Sequence, residues 1–468
     1  MAIPTANARL GSIDEQRSRV LSQPWAEGLD PAEVASFLAG LSTDRFAANR
    51  FAQSRKRPYL QPRGGFPRFD DQRELSLKLS RAGADFIPLT IDSYTRHNDY
   101  DTAAELLQRS EDEEKDYLNG YPLVCHGHAL SRELFREIDK PVSLRHGTPD
   151  ARLLVEIAIA TGISDIEGGG VCYCLPYSEN FPLDRSLLYW QYVDRTCALY
   201  STAERPIHRE SFGPLTATMV PPAMTIAVQL IELLLAAEQG ITSMTVSFGQ
   251  HGSIPQDIAT ARVLRKLAGE YLERFGFADV RHYLAYHQWM GQFPPDHSRA
   301  TALICSGALI ANLVKADKII TKTVEEALGV PAADTNADAV NMVKYLFETS
   351  PVPEEPSSAT IDREATLIES ETRSIMEAMF DLPGDQFWQS VYRAFQLGII
   401  DVPFAPHIDN ANRLISIRDS DGSIRISEPG NVPIGDLDLR NERKLLENRG
   451  IAAGQTYQHL LADINLMA

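Results

Sequence analysis

Three arginines, Arg63, Arg96 and Arg145, follow or end short apolar runs, and Glu167 closes another. Arginine offers a planar fork of donors and keeps its charge at any working pH, so it suits carboxylates. Several arginines with one glutamate match a ligand carrying two carboxylates and an ammonium, as an amino diacid does. A single such arginine reads as well as a structural ion pair; recurrence at the ends of successive runs favours a shared site. Glu167 precedes Gly168-Gly169-Gly170, where glycines free the backbone and let it approach other groups closely. A carboxylate there can hold an ammonium or accept a proton, or simply cap a tight turn. Tyr173, Tyr177, His126, His146, His251, His287 and Lys322 complete the set of polar residues that follow apolar runs. Lys322 and Glu326 lie four apart, which on a helix places them on one face. They read either as a solvated ion pair or as a clamp for hydroxyl groups such as those of a ribose. Cys172-x-Cys174 has no second cysteine pair at metal spacing, so buried thiols are expected rather than zinc. The chain has no HExxH, GxSxG or GxxxxGK[ST], which disfavours zinc proteases, serine hydrolases and P-loop enzymes.

Elements that could position these groups recur along the chain. Strand-like runs are predicted at 84–89, 121–124, 141–144, 161–166, 244–248, 281–286, 301–305 and 317–320, each followed by a helical segment. Helices are predicted over 223–239, opened by Pro221-Pro222, and over 257–275, closed by Gly276. Eight βα repeats predict an α/β protein with a (β/α)₈ TIM barrel; a doubly wound sheet is the competing arrangement. Barrel sites form at the C-terminal ends of the strands, where the polar clusters fall. Asp30-Pro31 opens a short helix in an N-terminal extension spanning residues 1–54. The barrel is assigned to 55–350, and Ser350 to Ser358 is a linker by composition. A small α+β cap spans 351–468, with a helix over 364–380, a hairpin turning at Asp421-Gly422 and further helix in the last thirty residues.

With 468 residues, 44% of them hydrophobic, the chain can build a large core. A formal charge of −18 argues against nucleic acid as a partner. Five cysteines suit a reducing compartment better than a disulfide framework. The N-terminus lacks an apolar signal core, and the longest apolar stretch, Ile226 to Ala237, is broken by Gln229 and Glu232. A cytoplasmic protein without membrane attachment is predicted.

Longer phrases carry a resemblance. LQPRGGFP (60–67), TIDSYTRHNDY (90–100), LNGYPLV (118–124), RHGTPDAR (145–152), EGGG (167–170), WQYVDR (190–195), FGPLT (212–216) and HQWMG (287–291) occur in that order. Together they resemble the epsilon, or large, subunit of glutamate mutase (methylaspartate mutase), from about residue 55 to 335. The resemblance implies a (β/α)₈ barrel. It also implies an adenosylcobalamin-dependent isomerase that interconverts L-glutamate and (2S,3S)-3-methylaspartate by radical carbon-skeleton rearrangement. It further implies that Arg63, Arg96 and Arg145 bind the substrate carboxylates and that Glu167 meets its amino group. Tyr173 and Tyr177 would line the substrate, with Glu167 and Tyr177 taking the catalytic roles. Lys322 and Glu326, with Asn119 and Gly120, would contact the adenosyl group.

Cobalamin carriers of this type use Asp-x-His-x-x-Gly, and no Asp-x-His occurs in this chain. The resemblance therefore implies a separate small cobalamin-binding (sigma) subunit supplying the cobalt ligand, and a heterotetramer built on a dimer of this chain. Two departures stand beside the expected pocket. Cys125 replaces the family's usual asparagine, and Val171-Cys172-Tyr173-Cys174 replaces a phrase closer to Ile-Ser-Tyr-Asn. They read as neutral packing changes or as marks of a different substrate. Alternatives from other classes are a paralogue acting on another amino acid, a lyase or aldolase using Lys322 or a histidine as base, and a non-catalytic amino-acid-binding barrel.

Overall fold

In a computed structural model of the protein, residues 13–217, 219–352, 354–450 and 456–467 are described; the first twelve residues of the expected N-terminal extension lie outside them. Eight short strands line up in parallel: β1 (Tyr59–Gln61), β2 (Ile87–Thr90), β3 (Val142–Arg145), β4 (Asp165–Glu167), β5 (His208–Glu210), β6 (Ser243–Gly249), β7 (Arg281–His287) and β8 (Lys318–Ile320). Their order is β1-β8-β7-β6-β5-β4-β3-β2. Between the two ends of that series, the Leu60 carbonyl accepts from Asp85 N at 2.9 Å and Phe86 N at 3.1 Å, drawing β1 against β2. This is the expected (β/α)₈ barrel, with a helical N-terminal extension and a small α+β C-terminal domain.

Two predicted strands are helical. Residues 121–124 contribute one bridge, Ile91 to Tyr121, and then enter the helix Leu123–Leu134. Pro122 has no N–H with which to extend a ladder. Residues 301–305 lie inside the helix His297–Leu313, whose N-terminus is capped by the Asp296 side chain. A short buried apolar run looks alike in either state, and the flanking cap decides it. The two strands that replace them, β1 and β5, are three residues each and carry Gln61, His208, Arg209 and Glu210, all buried. Periodicity misses β5 because the groups it buries are polar, and β1 because three residues are too few to show an alternation.

All seventeen residues of the helix Pro222–Glu238 are buried. The two polar residues that interrupt its apolar stretch turn to backbone donors. Gln229 accepts from Ser247 N at 2.7 Å, and Glu232 accepts from Val171 N at 2.8 Å and Cys172 N at 2.9 Å. No described helix is long and apolar enough to cross a membrane.

The N-terminal helices Ile13–Leu21, Pro31–Gly40 and Ala47–Ala52 pack beside the barrel, and Asp30 caps the second by accepting from Ala32 N at 2.9 Å. From the third, Phe51 stacks among Phe86, Tyr59, His208 and Tyr283, with ring centroids 4.8–5.9 Å apart. It thereby closes the N-terminal end of the barrel.

After the irregular segment that follows Thr349 come the helices Ala359–Phe380 and Phe387–Gln396, then a hairpin of β9 (Ile415–Arg418) and β10 (Ile424–Glu428). Gly422 has φ +80°, as the turn requires. Helices Asp436–Glu447 and Thr456–Ile464 follow. This region buttresses the loops at the strand C-termini. Arg418 donates to the His251 carbonyl at 2.6 Å, and Gln256 exchanges hydrogen bonds with Ile424 backbone at 2.8 and 3.0 Å. Thr216 donates to the Pro403 carbonyl at 2.6 Å, and Ile408 N donates to the Glu179 carbonyl at 3.0 Å.

Candidate active site

Arg145, Glu167, Glu210 and His287 are the last residues of β3, β4, β5 and β7, so their side chains meet where those strands end. Arg145 is buried and ion-paired twice, to Glu167 and, at 3.2 Å, to Glu210. Tyr173 donates its hydroxyl to the other oxygen of Glu167. Burial pushes the Glu167 carboxyl up to about 7; Arg145 opposes the shift and Glu210 adds to it. Glu167, Glu210 and His287 each bring an acceptor atom within 4.8 Å of the other two. Both ring nitrogens of His287 lack a partner among the described residues. Burial holds this imidazole well below its usual range, and Arg145, Arg63, Lys318 and Lys322 reinforce the effect. It is therefore neutral at pH 7 and can accept a hydrogen bond. A metal ion fits this trio poorly, because its carboxylates already face Arg145 and Lys318.

The triple glycine is dictated by crowding. Gly168 has φ +123°, and a Cβ there would stand 2.3 Å from Trp190 and 2.4 Å from Tyr173. A Cβ on Gly169 would stand 2.2 Å from the Glu232 carboxyl carbon. The turn is capped by Glu232, which leaves Glu167 to the site.

The other two arginines converge on the same place. Arg96 ends the four-residue helix Ser93–Arg96 after β2 and spends one donor on the Ile91 carbonyl at 2.7 Å. Arg63, two residues beyond β1, lies 3.9 Å from Glu326 and is 37% exposed, so its guanidinium remains available. The Tyr177 hydroxyl feels both arginines and Arg145. Burial raises it to about 12 while Arg63, Arg96 and Arg145 pull the other way. Tyr177 packs edge-on against Tyr173 at 5.7 Å and over Gly147, where a Cβ would stand 3.2 Å from its ring. His146 stacks on Trp190 at 5.7 Å, and its Nδ1 accepts from Thr148 N at 3.2 Å.

Lys322 donates to Glu326 at 2.7 Å, as their spacing predicts, but the residues between them form turns, and the next helix starts at Ala333. Burial brings the Lys322 ammonium down to about 8, with Arg63 next in effect. Against burial, Lys322 and Arg63 hold Glu326 below its usual range. Asn119 accepts from Ser93 N at 2.9 Å, and a Cβ on Gly120 would stand 2.7 Å from backbone atoms of residues 90–92. Both residues thus fix the loop that carries Arg96.

His126 and His251 are engaged outside this cluster. The first binds the Pro67 carbonyl at 2.9 Å and stacks on Tyr121; the second pairs with Asp257 at 2.8 Å. Three of the cysteines are also engaged elsewhere. Cys125 faces the Tyr100 carbonyl at 3.5 Å, Cys172 accepts from Phe212 N at 3.4 Å, and Cys174 lies 3.3 Å from His407. Burial pushes the Cys125 and Cys174 thiols up to about 12. Sequence reasoning missed Glu210, which sits in a three-residue polar strand. Its spacing from Arg209 and His208 gives no signal that it faces Arg145.

The fold and this arrangement define a (β/α)₈ barrel protein with a cluster of arginines and buried carboxylates at the C-terminal ends of its strands. Residues 43–468 match the model of the methylaspartate mutase E chain family. The chain belongs to that family. It is 39% identical over 456 residues to a glutamate mutase epsilon subunit of Desulfitobacterium hafniense, covering 96% of this chain and 94% of that protein. It is 40% identical to the Escherichia coli O157:H7 protein of the same name, over 87% of this chain and 85% of that one. To the Halobacterium salinarum protein it is again 40% identical, over 91% and 89%.

Proposed function

We propose that this chain is the large, substrate-binding component of an adenosylcobalamin-dependent glutamate mutase, interconverting L-glutamate and (2S,3S)-3-methylaspartate. The observation that carries the reading is the convergence of Arg63, Arg96 and Arg145 around Tyr177, beside a carboxyl shifted to about 7 at Glu167. Arg63 and Arg96 take one substrate carboxylate between them. Arg145 has five N–H donors, of which Glu167 and Glu210 occupy two, leaving donors for the second carboxylate. An ammonium has three N–H donors. Glu167, Glu210 and neutral His287 supply three acceptors within 4.8 Å of one another. Glu167 can take a proton from the ammonium or return it near neutral pH. Tyr173 and Tyr177 wall the pocket and keep water from reactive fragments.

Adenosylcobalamin supplies, when bound, the radical chemistry that moves hydrogen. Lys322 and Glu326 fit its ribose, because one donor and one acceptor paired at 2.7 Å suit adjacent hydroxyls. The cobalt ligand would come from a separate small cobalamin-binding subunit, since this chain has no Asp-x-His. A heterotetramer built on a dimer of this chain follows from the same reading. Each thiol beside the pocket bonds outside the arginine–glutamate cluster, which gives the reading of a different substrate no support. The test is an anaerobic assay of this chain with its small cobalamin subunit, adenosylcobalamin and glutamate, following 3-methylaspartate. Product that needs every component supports the reading. No product, with the small subunit bound, sinks it.

A further inference from the structure

Lys318 is the first residue of β8, and its side chain is wholly buried. It crosses the barrel interior to strands on the other side of the ring. There its ammonium meets Asp165 Oδ2 on β4 at 2.9 Å and the Glu210 carboxylate on β5. Phe86 and Phe51 present their rings to the same ammonium, with centroids 4.7 and 5.6 Å away. Ser143 donates to Asp165 at 2.5 Å. The chain of contacts therefore runs from Asp165 through Lys318 and Glu210 to Arg145, and from Arg145 to Glu167 and Tyr173. Two cations, Arg145 and Lys318, face three carboxylates, Asp165, Glu167 and Glu210, in a space closed to solvent. Removing one cation from such a set leaves buried anions uncompensated, and the set answers by taking up a proton.

We propose that Lys318 is a positioning residue for the amino-acid site. From inside the barrel it pairs with Glu210 and holds that carboxylate directed at Arg145, so that the guanidinium is anchored from the lumen side. This rests on the functional reading above for the identity of the ligand, but not for the electrostatics. The groups facing Glu167 are Arg145 on β3, Glu210 on β5, Tyr173 and Tyr177 after β4, His287 on β7 and Lys318 on β8.

The test compares Lys318→Met, Asp165→Asn and the double variant. The double variant removes one charge of each sign and so restores the excess of one negative charge. Two readouts are taken: the infrared titration of the Glu167 carboxyl in the chain without ligand, identified by its loss in Glu167→Gln, and kcat and KM of the complete system. Lys318→Met is expected to move the titration up by at least one pH unit and to raise KM at least tenfold, with a smaller change in kcat. Asp165→Asn should move the titration down, and the double variant should return both readouts towards the parent. If Lys318→Met does not fold, the other two variants carry the test. A titration unmoved by Asp165→Asn, or a double variant that titrates no closer to the parent than Lys318→Met, overturns the proposal. Absence of glutamate turnover in the parent would instead count against the functional reading, because the titration needs no substrate.

Discussion

Gly168→Ala is a one-carbon change that combines backbone strain with a steric clash. The backbone there has φ +123°, a region open essentially to glycine, so an alanine costs about 1–3 kcal/mol in strain. Its Cβ would also stand 2.3 Å from Trp190 and 2.4 Å from Tyr173, rings that are both buried. Overpacking of this kind costs a further 1–3 kcal/mol or so, for a total of about 2–6 kcal/mol. Gly329→Ala isolates the backbone share: its φ is +127°, and nothing lies within 4 Å of an added Cβ. Urea unfolding of both variants, followed by tryptophan fluorescence and near-ultraviolet circular dichroism, measures the difference. Gly168→Ala is expected to lose more stability than Gly329→Ala by the packing share. Displacing Tyr173 also loosens its hydrogen bond to Glu167. A hydrogen bond to a charged group is worth about 1.5–3 kcal/mol, so the folded variant should lose tenfold or more in kcat/KM. Equal unfolding midpoints for the two variants would refute the crowding argument.

Three further outcomes follow from the same contacts. Arg145→Lys replaces a two-pronged donor set that already serves Glu167 and Glu210; KM for the amino acid should rise tenfold or more, and unchanged steady-state constants would remove Arg145 from the site. Glu326→Gln removes the anionic partner of Lys322, so the concentration of adenosylcobalamin needed for half-maximal rate should rise more than KM for the amino acid; the reverse pattern contradicts the ribose assignment. Burial raises the Glu232 carboxyl from 4.5 to about 7. A carboxyl raised in the folded state binds its proton more tightly there, so its contribution to stability falls as pH rises from 4.5 through 7 and is flat above. Glu232→Gln should flatten that slope and be relatively most stable near pH 8, as chemical unfolding across pH 5–8 would show; an unchanged slope would count against the assignment.

The amino-acid sequence determined much of this protein. Strands β6 and β7 are seven residues each, long enough for their hydrophobic pattern to declare them, and the hairpin around Gly422 is announced by Asp421-Gly422. The residues at the strand ends, Arg145, Glu167 and His287, stand out because an ionisable group closing an apolar run is unusual in a core. The order of the long phrases points to the family whose model matches residues 43–468. The tertiary structure decided the rest. The barrel interior is lined by charges that compensate one another across the ring, so β5 looks like a polar connection until the fold brings Glu210 to Arg145 and Lys318. Residues 301–305 carry the apolar signal of a strand, yet a cap at Asp296 makes them helix. Lys318 and Asp165, 153 positions apart, have no relation along the chain. Burial in a common low-dielectric space couples them, and only the closed ring of strands creates that space.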